Sequence, residues 1–454
     1  MRIVAFLQRP AVAALLLLLI PLARADNEPG SPQTQPHDHM HMSETVSGPE
    51  GRGMALLMSL ASGTSTDPAS AHAHMTHIQK ARWTLMLHGT AFITDVQQTG
   101  PRGEDQIVSA NWLMLAGARN VGAGAVMLRG MFSLDPATIR QDSSPLLFQT
   151  GEEHDGIPIV DGQHPHDFFM ELAVAYAHPF GKKSALLLYA APVGDPALGP
   201  VAFPHRSSNA ENPSAVLGHH LQDSTHIASD VLTAGWDFGT FRIEGSGFHG
   251  TEPDEHRWNI DQGPIDSWSA RGSFRPTRDW AAQVSRGKLT DPEVHDPGDV
   301  TRTTASVLYS RNFPEGGLSA GMVWGRNDLE EGLTLGSYLL EGAWNFSKVN
   351  YVFGRFERVE RNELFADDPA REVAFAAAGI RFFTVGAATL GYTRDFPWLP
   401  RWQTGLGADA TTYRIPPALE PFYGSHPRAY HFFLRFRRSG PTGHSSMPGH
   451  QGHP

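Results

Sequence analysis

Cysteine is missing from all 454 residues. That excludes disulfides, thiolate nucleophiles and cysteine-based zinc sites. Lysine is scarce, confined to Lys80, Lys182, Lys183, Lys288 and Lys348, and arginine supplies the other fixed positive charges. Charged residues reach only 18%, are not gathered in runs, and leave a net charge of −11, which argues against nucleic acid as a partner. Long apolar runs are also lacking. The stretch from Ala11 to Leu22 is too short for the roughly 20 apolar residues that a membrane-crossing helix needs, and no later segment has 18 in a row. What the chain does have is glycine (46), proline (34) and aromatics (10%), a composition suited to many short strands and turns.

The N-terminal end reads as an export signal. Arg2 and Arg9 precede the apolar run, and Ala23-Arg24-Ala25 has the small residues of a cleavage site. Residues 1–25 are therefore expected to be a signal peptide, with the mature chain starting at Asp26. Residues 26–80 are rich in Pro, Gly, Ser, His and Met and read as a disordered periplasmic leader. Within it, Met54 to Leu60 is apolar enough for a short helix or plug. Residues 81–438 read as a β-barrel, and 439–454 as a short His-rich tail.

Period-two alternation carries the barrel reading. Along 265–275, Trp268, Ala270, Gly272 and Phe274 oppose Ser267, Ser269, Arg271, Ser273 and Arg275. Thr303, Ala305, Val307 and Tyr309 likewise oppose Arg302, Thr304, Ser306 and Ser310. Similar alternation runs through 336–346 and 428–437. One face is apolar with aromatics near its ends, and the other carries arginine, glutamate and serine. A large soluble periplasmic all-β domain also alternates, but against it stand the charged interior face, the aromatic ends and the final strand Tyr-His-Phe-Phe-Leu-Arg-Phe. Turns near 119–121, 179–182, 239–240, 276–278, 312–316, 346–348 and 397–402 are short. The connections between them are long, as in outer-membrane barrels. The expected fold is an all-β transmembrane antiparallel barrel of about 16 strands, within 14–18. Its final strand resembles a C-terminal assembly signal, although further residues follow it. The inward positions Arg242, Glu244, Arg271, Arg275, Arg302, Glu341 and Arg435 are candidate lumen residues. They either set ion selectivity or pair with one another to fill the interior.

Histidine marks the candidate chemistry, with 23 in the chain. His37, His39, Met40, His41 and Met42 form one cluster, and His72, His74, Met75 and His77 a second. Imidazole with thioether suits copper or a similar transition metal, and without cysteine it is the only soft-metal donor set available. The tail repeats the composition at His444, Met447, His450 and His453. A plain solvated tail is the competing reading. In a loop, His164 and His166 flank Pro165, and Asp167 follows, a second candidate metal set. A third group, His219, His220, Asp223, Ser224 and His226, has the residue types of Ser-His-Asp catalysis, but no Gly-x-Ser-x-Gly accompanies it. No enzymatic activity is expected.

The stretches 161–173 (Asp-Gly-Gln-His-Pro-His-Asp-Phe-Phe-Met-Glu-Leu-Ala), 223–227, 244–250, 302–306 and 391–396 resemble an uncharacterised bacterial outer-membrane family. That resemblance implies an outer-membrane location and no particular activity. In layout, with a His/Met-rich leader ahead of a barrel, the chain is also similar to copper-resistance outer-membrane B proteins. The expected function is an outer-membrane barrel that binds or passes a transition metal, copper first, possessing no cofactor otherwise. Its partners would be outer-membrane lipid, metal ions and a periplasmic metal-handling protein. A general porin-like channel with incidental histidines is the alternative, and an outer-membrane hydrolase a second.

Overall fold

A computed structural model describes residues 49–71, 74–139, 143–293 and 297–438. The expected signal peptide, His37, His39, Met40, His41, Met42, His72 and the tail histidines lie outside these residues.

Sixteen antiparallel strands close on themselves. The staves are β2 (Trp83–Gln98), β4 (Asn111–Val121), β5 (Gly124–Phe132), β8 (Phe169–Phe180), β9 (Ser184–Gly194), β10 (Ala228–Asp237), β11 (Phe241–His249) and β12 (Ser267–Phe274). They continue through β13 (Trp280–Leu289), β14 (Val300–Phe313), β15 (Gly316–Leu329), β16 (Thr334–Phe346), β17 (Asn350–Arg361), β18 (Phe383–Phe396), β19 (Trp402–Arg414) and β20 (Arg428–Arg438). Closure joins β20 to β2, from Thr90 opposite Arg437 to Gln98 opposite Ala429. Two short strands, β1 (Met75–Lys80) and β3 (Gln106–Val108), lie alongside β2. In the connection from β5 to β8, β6 (Ser144–His154) and β7 (Ile157–Gln163) form a separate hairpin. The seven short turns fall at or beside the expected positions, the first at 122–123, and the other connections are long except 330–333 between β15 and β16.

The wall has the inverse polarity of a soluble protein. Along β12 the burial alternates strictly, with Ser267, Ser269, Arg271 and Ser273 inside and Trp268, Ala270, Gly272 and Phe274 outside. Ile243, Met322, Phe356 and Leu390 are each more than 60% exposed on the outer face. In water each would forgo about 1.5–3 kcal/mol of burial, whereas in hydrocarbon their exposure costs nothing. Aromatic pairs sit beside the short turns: Phe180 on Trp236 at 5.0 Å, Phe241 on Phe274 at 4.6 Å, Trp280 on Tyr309 at 4.7 Å and Phe396 on Trp398 at 4.8 Å. Such rings mark the level of the membrane interface. The molecule is a closed all-β barrel whose apolar, aromatic-edged outer face suits a membrane.

The interior is occupied by two segments. The first is 49–71, folded against the inside of the barrel, which extends the short helix or plug expected at Met54–Leu60 beyond those residues. Helix α1 (Pro49–Met58) buries Leu56 and Leu57 against β4, β5 and β8. Gly53 lets it touch the wall, since a Cβ there would stand 2.8 Å from the carbonyl oxygen of Ala177. Arg52 binds Asp237 at 2.9 Å, which places α1 at the short-turn end. β1 then continues the sheet, with Met75 packed on the apolar core and His77 exposed.

The second segment is the loop 195–227, which turns inward and carries α3 (His219–Gln222), the helix that follows α2 (Asp135–Thr138) in the chain. Over it an apolar cluster joins Phe148 of the hairpin, Leu217 and Leu221 of the inward loop, Phe365 of the β17–β18 loop and Tyr423 of α5 (Glu420–Tyr423). The β17–β18 loop also carries α4 (Pro369–Ala377), capped by Asp368.

Candidate functional site

Every inward charge named from the alternation lies inside the barrel, and all but Arg275 reach a group on the plug or the inward loop. Arg242 donates to the Thr64 carbonyl and pairs with Glu244. Arg271 binds Glu244 at 3.1 Å, Thr64 Oγ1 at 2.8 Å and the Gly199 carbonyl at 3.3 Å. Arg302 donates to Ser224 Oγ at 2.7 Å and to the His220 carbonyl at 2.6 Å. Glu341 accepts from Arg206 Nε at 2.5 Å and Ser208 Oγ at 2.7 Å. Arg435 pairs with Glu211 and Asp395, and Arg437 binds Glu211 at 2.7 Å. Arg275 stays at the short-turn end on Asp237. Arg206, Arg242, Arg271, Arg302, Arg435 and Arg437 are the largest fully covered side chains among the described residues, each 2% exposed or less. Charges lining a wet pore would be accessible. These form a packed polar core.

Residues 161–167 and 218–226, distant in sequence, meet beneath the long-loop mouth. The His219 ring lies 5.1 Å from that of His226, 5.2 Å from His220 and 6.4 Å from His164. His166 lies 5.5 Å from His226. Three of these rings are oriented through Nδ1. His166 bonds Asp135 at 2.8 Å, His219 bonds Asp223 at 2.7 Å and His226 donates to the Asp223 carbonyl at 2.9 Å. The Nε2 atoms of His166 and His226 are buried without a partner. An imidazole held by one nitrogen and open at the other is the arrangement found behind metal ligands.

The side chains of His164, His166 and Asp167, expected as one metal set, each take a different carboxylate or arginine neighbour. His164 Nε2 turns to Glu152 at 3.0 Å, and His166 to Asp135. Asp167 faces Arg257 at 3.4 Å, while Arg257 also binds Glu152. The rigid extended backbone at Pro165 sends the two imidazoles to different neighbours. Burial pushes Asp167 up to about 7 against the pull of Arg257, and lowers His164 to about 4 despite Glu152.

The catalytic grouping fails on geometry as well. His219 and Asp223 are bonded, but the Ser224 hydroxyl is held by Arg302 rather than by an imidazole. Burial would raise Asp223, yet the bond from His219 and the charge of Arg206 hold it well below the usual carboxylate range. Asp223 is thus a fixed anion that anchors His219 and Arg206 together.

Sequence reasoning missed Glu152, Arg206, Glu211, Glu252, Arg257 and Glu293, all on loops or on the hairpin. A signal existed for some of them, because the inward wall positions carry more arginine than glutamate. The counter-charges had to come from elsewhere. Glu252 and Glu293 stand beside His220, at 3.5 and 3.6 Å from its Nδ1. Burial, with Glu363 nearby, pushes Glu293 up to about 7.

No protein-family model and no curated protein matches the chain. Among solved structures, an anion-selective porin from Comamonas acidovorans is similar over 78% of this chain and 99% of its own, at 13% identity and a TM-score of 0.47. OmpF of Salmonella typhi, in complex with daunomycin, covers 80% and 100% at 10% identity and a TM-score of 0.49. OprB of Pseudomonas putida covers 78% and 94% at 9% identity and a TM-score of 0.46. Likenesses of this degree carry no information about what passes through the barrel.

Proposed function

We propose that the protein is a porin-like outer-membrane channel held shut by its plug and its inward loop. The supporting observation is where the lumen charges find their partners. Arg242 and Arg271 are bound by Thr64 of the plug, and Arg302, Glu341 and Arg435 by the inward loop. A wall that served only as a scaffold would pair its charges across neighbouring strands. Here Glu244 and Asp395 do pair with wall arginines, but Glu341, Arg435 and Arg437 take their counter-charges from the inward loop, so releasing it exposes a charged lumen. The channel reading therefore predicts little current from the intact chain in planar bilayers and steady current once the inward loop is released by Arg206→Ala. Absence of current in both would sink it.

A second reading, binding or passage of a transition metal such as copper, is favoured by one observation. Five imidazoles gather under the mouth, several with an open nitrogen. In this reading the leader clusters at 37–42 and 72–77 would concentrate the ion on the periplasmic side, received from a periplasmic metal-handling partner. Copper titration of the whole chain, with and without alanine at His37, His39, His41, His72, His74 and His77, tests the leader's part. Equal affinity in both would remove it.

A further inference from the structure

His220 is the one imidazole of the cluster whose two nitrogens are both buried without a hydrogen-bond partner. Its side chain is 4% exposed. Nδ1 faces Glu252 Oε2 at 3.5 Å and Glu293 Oε1 at 3.6 Å, and the ligand atoms of all three residues lie within 4.8 Å of one another. Those separations are long for hydrogen bonds, which run about 2.7–3.2 Å. They match the edge of a coordination shell, where donors about 2.0–2.2 Å from one cation stand about 3.4 Å apart. Glu252 Oε1 is also buried and unpartnered. The nearby arginines are committed elsewhere. Arg302 is bound to Ser224, the His220 carbonyl and Asn327, and Arg361 to Gln149 and the Leu217 carbonyl. Gly151 closes one side of the ring, where any Cβ would fall inside the imidazole.

We infer that His220, Glu252 and Glu293 form a binding site for one divalent transition cation of the zinc type at the long-loop mouth. One nitrogen and two carboxylate donors with no thioether suit zinc, manganese or cobalt rather than copper(I). The three ligands come from three connections: the inward loop, the β11–β12 loop and the β13–β14 loop. The cation therefore cross-links them and fastens the inward loop to the rim. This site stands apart from the leader clusters in both position and donor chemistry. It also stands whether or not the barrel conducts.

The test is metal stoichiometry of the full-length barrel in detergent, stripped with EDTA and titrated with Zn²⁺, then with Co²⁺ for its absorption bands. To keep the leader and tail histidines from competing for the ion, the background chain carries alanine at His37, His39, His41, His72, His74, His77, His444, His450 and His453. One equivalent is expected in that background. It should be lost or weakened at least tenfold by Glu252→Gln, Glu293→Gln or His220→Ala, and kept by His256→Ala, which changes an exposed loop histidine. The two Glu→Gln changes preserve shape, so they report binding even if His220→Ala fails to assemble. An equivalent that survives the Glu252→Gln/Glu293→Gln double variant, or no equivalent in the background chain, overturns the assignment. A chain that binds the ion but passes no current under any condition keeps this site and removes the channel.

Discussion

The wall and the filling of this barrel are built on opposite principles. Staves such as β12 obey a period of two, with apolar side chains outward and Arg and Ser inward. The staves β4, β5, β8 and β9 also turn Ala118, Met127, Ala177 and Leu187 inward, and hydrogen-bonded neighbours largely follow one another in sequence. The plug and the inward loop have no period. Their positions are set by individual charge pairs and close backbone approaches, such as Glu341 with Arg206 and Glu211 with Arg435 and Arg437. A wall made of many equivalent rungs tolerates single changes. A filling held by a few buried ion pairs does not, because removing one partner leaves a charge stranded in a dry interior.

The largest break in that comparison should come from Arg206→Ala, which strands both Glu341 and Asp223. A loss of about 3–5 kcal/mol of loop docking is expected, seen as faster protease cleavage within 195–227 and as bilayer current. Unchanged cleavage would mean the loop is held by something other than its charges. Next, Leu390→Arg places a charge on the lipid face of β18. It should destabilise the wall by about 2–4 kcal/mol if Leu390 is near the bilayer midplane, read by urea unfolding in vesicles. A neutral result would put that face in water.

Gly63→Val tests the plug. Gly63 has φ +50° and its Cβ would fall inside the backbone of Asp195, so a β-branched residue should cost about 1–3 kcal/mol. Hydrogen exchange should quicken in 56–66 and stay unchanged in the staves. The smallest effect is expected from Arg52→Ala. Asp237 keeps Arg275 when Arg52 is lost, so no more than about 1 kcal/mol should follow. A larger shift in α1 protection would make this pair the plug's main latch.

Much of the wall was legible because its signal repeats. Trp268, Ala270, Gly272 and Phe274 read as one face without any knowledge of neighbours, and the inward Arg271 and Arg302 followed from the same count. The short helix near Met54–Leu60 was visible from its apolar residues. Its resting place was not, because Gly53 against Ala177 and Arg129 against the Ala61 and Gly63 carbonyls join residues far apart in sequence. The candidate site was legible only in its parts. His164 with His166, and His219 with His220 and His226, stood out as separate loop motifs. Nothing in either motif says that they meet, or that Glu252 and Glu293 stand beside His220.

The sequence by itself determined the barrel: no cysteine, period-two strands, alternating short and long connections, and an interior rich in arginine. Those features are local, and each is repeated often enough to outweigh exceptions. The tertiary structure alone decided that the interior is filled, which charges neutralise one another there, and which three loops face one imidazole. Such choices depend on contacts between segments tens to hundreds of residues apart, where a single carboxylate in the right place matters and no periodic pattern announces it.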